Sequence, residues 1–213
     1  MYHKRTVAIE HVRVHATIYI FMIILFLTGI VFGAMIVNSM NFVQKQDLFF
    51  YLERFFGDIS DKQQIAKGII LKNSFLYHAK YLFIIFILGL SVIGLPFVWI
   101  LLFLKGLVVG FSVGFLVNQL GTKGLLLASL SIAPQNMIVI PIYIVAGSLS
   151  MIFSLTLLSK IFSRKISQPV FEPFTKYAVV FSFLLILSFV AALLEAFVAN
   201  EAMGALIRSF YKN

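Results

Sequence analysis

The sequence predicts an all-α fold, a polytopic integral membrane helical bundle, and three observations carry that prediction. Hydrophobic residues make up 61% of the 213 positions and charged residues 12%, against about 45–50% and about 25% in a soluble domain. Mean hydropathy is +1.02. The charges cluster, leaving uncharged runs of the ~20 residues that cross a bilayer core. These features exclude a disordered chain, a coiled coil and an ordinary soluble enzyme. Cysteine is absent, so there is no disulfide frame, thiolate zinc site or Cys nucleophile. A net charge of +9 on so apolar a chain fits membrane topology and anionic headgroups better than nucleic acid.

The chain reads as a single membrane domain, 1–213, with five spans and one broken or re-entrant segment. Charges stop after Arg13 and resume at Lys45, and Ala16 to Val37 is the first apolar run. It is too long for a signal-peptide core, and no small-residue cleavage pattern follows it, so it is an uncleaved span at about 16–37. Tyr81 to Leu104 is uncharged, Lys105 interrupts, and Gly106 to Thr122 continues apolar. Gly94-Leu95-Pro96 is the natural break, since Pro favours a turn or a helix first turn. Spans at about 79–95 and 97–119 follow. From Gly124 to Ser159 there is no charge, but Pro134 and Pro141 intervene. The segment 124–158 therefore reads as a half-helix at about 124–133, a kink, and a full span at about 137–158. Irregular backbone at that depth needs shelter from lipid. The last span is at about 175–198.

Lys and Arg near span ends set orientation. Lys4, Arg5 and Arg13 at the N-terminus match Lys160, Arg164, Lys165 and Lys176 in the fourth connection. That density puts the N-terminus in the cytoplasm, with the first connection and the C-terminus outside. The first connection, 38–78, is the only sizeable aqueous part. Leu48, Phe49, Leu52, Phe55 and Phe56 lie on one helical face, with Lys45, Asp47, Glu53 and Arg54 on the other. Gly57 is expected to end this helix. Ser60 or Asp61 can then cap a second one carrying Ile65, Ile69 and Leu76. Such an amphipathic segment either lies on the bilayer surface or packs on the bundle. Both are compatible with docking a partner.

Motifs for chemistry are sparse. Gly110-Phe111-Ser112-Val113-Gly114 matches G-x-S-x-G, but that elbow needs a strand, a sharp turn and a helix, and here it lies inside an apolar helical run. Gly106, Gly110 and Gly114 instead form a small-residue stripe, and Gly29 and Gly33 repeat it in the first span. Small residues four apart let helices approach closely, within the bundle or between protomers of a homo-oligomer. His11 and His15 are four apart, but no further ligand set accompanies them, so no metal is expected. His78, near Lys80 and Tyr81, reads as a span boundary. Glu195, near the end of the last span, stands without a second carboxylate or a relay. Lys105 either snorkels or faces a polar interior. Asn118, Gln119, Gln135 and Asn136 are the remaining intramembrane polar groups. The stretch from Ile132 to Pro141 concentrates polarity and helix breaks, so an intramembrane site belongs there if anywhere. No nucleotide motif or other cofactor signature is present.

The order of features resembles the stage II sporulation protein M family nearly end to end. The resemblance rests on Phe32-Gly33-Ala34, Val37-Asn38-Ser39-Met40, Asp47-Leu48-Phe49-Phe50-Tyr51-Leu52, Phe103-Leu104-Lys105-Gly106-Leu107-Val108-Val109-Gly110 and Ala133-Pro134-Gln135-Asn136. A broader group of related membrane proteins carries a paired Asn before the second span, where this chain has Asn73-Ser74. That group often has Asn-Gly at Lys105-Gly106. It also often has Pro-His-Gly, a Glu and a second Pro where this chain has Pro134, Gln135, Asn136, Val139 and Pro141. The missing His and Glu are ionisable groups that transport or catalysis would use.

The resemblance implies a non-enzymatic protein of the mother-cell membrane, at the septum and the engulfing membrane of a sporulating cell. There it holds two cell-wall hydrolases, stage II sporulation proteins D and P. The residues expected to meet partners are Phe49, Tyr51, Arg54, Phe55 and Phe56, whose aromatic and Arg content suits an interface. The alternative is a small transporter or channel with a site at the broken helix near 132–141.

Overall fold

The computed structural model describes residues 10, 12–61, 67–162, 171–199, 201 and 203–205, with backbone alone at 55–61 and 161. It is helical almost throughout, and the described residues hold no strand. In order come α1 (Ala16–Ser39), α2 (Phe42–Asp61), α3 (Lys67–Gly89), a 3₁₀ turn (Val92–Gly94) and α4 (Leu95–Leu127). A π-helical turn (Ala128–Ile132), α5 (Ala133–Phe162), α6 (Phe171–Leu194) and a second π turn (Glu195–Ala199) follow. Four stretches are long and apolar enough to cross a membrane: Ala16–Ser39, Lys67–Gly89, Val92–Lys160 and Phe171–Ala205. The third, of 69 residues, is on the order of 100 Å of helix, about three hydrocarbon thicknesses. It does not run straight. Gly121 leaves the helix at φ 57°, a conformation glycine adopts without strain. The chain then folds back, so that a Cβ at Gly124 would fall on the Leu116 carbonyl.

Several boundaries differ from the sequence reading, each for a physical reason. Pro96 sits in the first turn of α4, where its missing N–H is harmless, so the break at Gly94–Pro96 stands. α3 begins at least twelve positions before the expected span at 79, because its polar residues do not interrupt it: Lys72 and Lys80 face outward while Ser74 and His78 turn inward. Gly57 does not end α2, which continues to Asp61. In place of the expected kink after the half-helix there are two irregularities, Gly121 before it and the π turn within it. There the Ala133 N–H donates to the Ala128 carbonyl, five residues back, just ahead of Pro134. Pro141 is held inside α5. α6 starts at Phe171, its first turn supported by Glu172 and Lys176 four residues apart, 2.8 Å between charged atoms.

The core joins all five apolar helices. Met22 and Phe26 of α1, Leu82 and Ile85 of α3, Val98 and Leu102 of α4, Val139, Ile142 and Tyr143 of α5 and Tyr177, Phe181 and Leu184 of α6 form one buried cluster. Large apolar side chains such as Ile24, Phe83, Ile93, Phe183 and Ile186 point outward, as a lipid-facing surface requires. α1 and α4 meet along the two glycine stripes. A Cβ at Gly29 or Gly33 would strike the Phe103 or Leu107 carbonyl, and one at Gly106 or Gly110 would strike that of Phe26 or Ile30. Gly114 faces Ala34 across the same seam. These five glycines therefore pack within the bundle.

Away from this seam, α3, α5 and α6 share polar ties. The Tyr177 hydroxyl donates to the Phe86 carbonyl at 3.0 Å and the Ser150 hydroxyl to that of Ile85 at 3.1 Å, the two oxygens lying 2.9 Å apart. Tyr177 also stacks between Phe86 and Phe153, ring centroids 5.0 and 4.6 Å away. Gly33→Val or Gly110→Val is expected to lower stability by roughly 1–3 kcal/mol, the usual range for overpacking. Gly68→Ala, with nothing within 4 Å of its Cβ, is expected to be neutral. Thermal unfolding of the purified protein in detergent checks both.

Candidate functional site

α4 turns its glycines toward α1 and a different face toward α3 and α5. That second face carries Lys105, Val108, Val109 and Ser112, at helical spacing. With Asn73, Ser74, Tyr77 and His78 of α3, Gln135 and Asn136 of α5, Ile132 and Glu195, it lines a cavity of about 400 Å³. Both π turns border it, one through Ile132 and the other through Glu195. π-bulges recur at functional sites because they re-aim side chains along a helix.

The cavity is charged and mostly partnered. Ser74 donates to the Glu195 carboxylate. The same carboxylate oxygen, Oε2, also faces His78, whose Nε2 lies 3.8 Å from it, beyond hydrogen-bond reach. His78 is 4% exposed, and its Nδ1 meets the Tyr143 hydroxyl at 2.7 Å. When Tyr143 donates to Nδ1, the Nε2 proton points at the carboxylate. Lys105 does not snorkel. Its Nζ lies 4.9, 5.9 and 5.3 Å from the ring centroids of Tyr77, Tyr81 and Tyr143, a cation–π cage in a desolvated setting. Tyr81 is in turn fixed by donating to the Leu101 carbonyl. Among the described residues no carboxylate lies within 4 Å of Lys105. Asn136 Nδ2 donates to the Ile132 carbonyl at 2.8 Å. His78 Nε2 and Gln135 Oε1 are buried without a hydrogen-bond partner.

The structure gathers Lys105 of α4 with Gln135 and Asn136 of the 132–141 stretch at one cavity, and corrects two expectations. His78 is not a span-boundary residue but a buried member of α3. Glu195 is not isolated but partnered by Ser74 and faced by His78. Helical spacing carried the signal for both. Ser74, His78, Leu82 and Ile85 form the buried stripe of α3, and Glu195 continues the stripe Tyr177, Phe181, Leu184, Ser188, Ala191. Asn118 and Gln119 stay outside, bonded to each other at 3.3 Å just before the break in α4 at Gly121.

Ser112 lines the cavity but sits within a continuous helix, without the strand and turn of a nucleophile elbow. The described residues contain no group of three His, Asp or Glu able to hold a metal, and His11 lies outside them. In α2, Lys45, Leu48, Phe49 and Leu52 are half-buried, and Leu52 packs against Leu116, Leu127 and Ala128. Phe50, Tyr51, Glu53 and Arg54 are exposed. The side chains of Phe55 and Phe56 lie outside the described residues.

Replacing Glu195 by Leu strands the Ser74 hydroxyl, and the expected cost is roughly 1–3 kcal/mol. Glu195→Gln keeps an acceptor there and is expected to unfold close to wild type. Parallel thermal melts decide between them.

No curated protein and no solved structure matches the chain. A family model described as Stage II sporulation protein M matches residues 22–200, well over half of the chain. The match takes in most of α1, all of α4 and the whole lining of the cavity, and the chain therefore belongs to the stage II sporulation protein M family.

Proposed function

We propose that this sporulation membrane protein is a non-enzymatic scaffold. It anchors and localises two peptidoglycan hydrolases, stage II sporulation proteins D and P, for septal wall thinning and engulfment. Its place is the mother-cell membrane at the septum and the engulfing membrane, with a cytoplasmic N-terminus and α2 on the outer side. The supporting observation is α2 itself. One face leans on the bundle through Leu52, while Phe50 and Tyr51, 61% and 67% exposed, stand outward beside Arg54. An edge-to-face pair of Phe50 and Tyr51, centroids 6.4 Å apart, next to an Arg is the kind of surface that anchors protein interfaces. Tyr51→Asp and Arg54→Glu are expected to insert normally but lose at least tenfold in hydrolase recovery when the tagged protein is captured from crosslinked sporulating cells. Full recovery with both variants would remove α2 as the docking surface.

The cavity favours a second reading, a small transporter or channel. Ionisable groups at the meeting of interrupted helices are how transporters build midplane sites. Gln135→Leu with Asn136→Leu is expected to abolish flux into proteoliposomes on this reading, and to leave hydrolase recovery unchanged on the first.

A further inference from the structure

The cavity between α3, α4, α5 and the end of α6 holds opposite charges, Lys105 and Glu195, that are not in direct contact. Lys105 is caged by three tyrosine rings and has no carboxylate within 4 Å among the described residues. Ser74 and, at 3.8 Å, His78 both meet the Oε2 oxygen of Glu195. Two buried polar atoms make no hydrogen bond: His78 Nε2, which only faces Glu195 at 3.8 Å, and Gln135 Oε1, and a buried acceptor left without a donor points to an occupant. At about 400 Å³ the space falls at the small end of ligand cavities, roughly 300–1,000 Å³.

The charges select the occupant. A lone anion would meet Lys105 and leave Glu195 opposing it. A lone cation would meet Glu195 and be repelled by Lys105. Either leaves an uncompensated charge away from water, which is costly. A molecule carrying both signs pairs both groups at once. We infer that the cavity binds a small zwitterion, its ammonium toward Glu195 and Gln135 Oε1 and its acidic group on Lys105. An amino acid has this chemistry, and so has the phosphoethanolamine headgroup of a membrane lipid. Binding at equilibrium holds whether or not the ligand is carried across the bilayer. It shares only its location with the transport reading.

The test uses the full chain in nanodiscs of phosphatidylglycerol. Glycine, phosphoethanolamine, ethanolamine and inorganic phosphate are titrated separately against its thermal unfolding. A parallel disc contains dioleoylphosphatidylethanolamine, and native mass spectrometry reads the lipid retained on the protein. Ligands that bind the folded state raise the unfolding temperature with concentration. Glycine or phosphoethanolamine is expected to bind at least tenfold tighter than ethanolamine or phosphate alone if the source is a free molecule. Retained phosphatidylethanolamine, in preference to phosphatidylglycerol, marks the lipid source. Lys105→Met and Glu195→Gln should each weaken whichever probe binds by at least tenfold. Three results would overturn the inference: no zwitterionic probe binds, phosphate or ethanolamine alone binds as well, or both variants retain wild-type affinity. The single-charge probes use the wild-type protein, so they decide even if a variant fails to fold. Binding without flux would keep this inference and remove only the transport reading.

Discussion

The contact between α1 and α4 is the constraint on which the rest of the molecule depends. In lipid, helices gain little from burying apolar surface against each other, so association rests on close packing and interhelical polar contacts. Glycine at four-residue intervals on both helices lets the carbonyls of one lie against the Cα atoms of the other. That contact fixes the rotation of α4. Gly106 and Gly110 face α1, so Lys105, Val108, Val109 and Ser112 must face the other way, into the cavity. The most expensive residue in the bundle, a lysine ten positions into an apolar helix, is thus aimed by its immediate neighbour.

Two polar clusters lie inside the bundle, and their chemistry differs. Around Tyr177 each hydroxyl finds a carbonyl, and stacked rings close over the result. A satisfied buried network of this kind rigidifies a fold. In the cavity, satisfaction stops short: the tyrosine cage and Ser74 hold Lys105 and Glu195 in place, yet His78 and Gln135 keep unpaired atoms. Trp99 Nε1 and Ser148 Oγ are also unpaired, but each is a neutral group outside the cavity lining. Charge, volume and orphaned atoms coincide in this cavity.

The membrane class was legible from charge spacing, and the packing role of Gly29, Gly33, Gly106, Gly110 and Gly114 from their four-residue period. Whether those stripes faced each other was not legible, because it depends on which helices become neighbours. Charge alone does not mark where α3 begins, at Lys67. A helix admits Lys72 and Lys80 on one side and His78 on the other without ending. Half of the cavity, Lys105 with Gln135 and Asn136, stood out as polarity in apolar runs. The other half came from Ser74, His78 and Glu195, far apart in sequence and readable only as interruptions of buried stripes at i+3 and i+4. The resemblance to a broader group that often has a His and a Glu after Pro134 implies that this chain lacks those ionisable groups. In the folded bundle, His78 and Glu195 bring the same two residue types to the cavity from other helices.

The outer helix and the cavity are neighbours through Ile132. That residue lines the cavity and also packs on the cluster of Leu116, Leu127 and Ala128, where Leu52 of α2 rests. Adjacency is not coupling, which requires an element with two arrangements that both sites bias. The π turn Ala128–Ile132 has the position such an element needs. Ala128 supports Leu52 at one end, Ile132 meets the cavity at the other, and its wide hydrogen-bond ring sits just ahead of Pro134, which cannot donate a backbone bond. A ligand that favoured one registry of this turn over another would shift the seat of α2 by its differential affinity and by no more than that. The bundle with a filled cavity and the bundle with an empty one would then differ in how α2 presents Tyr51 and Arg54.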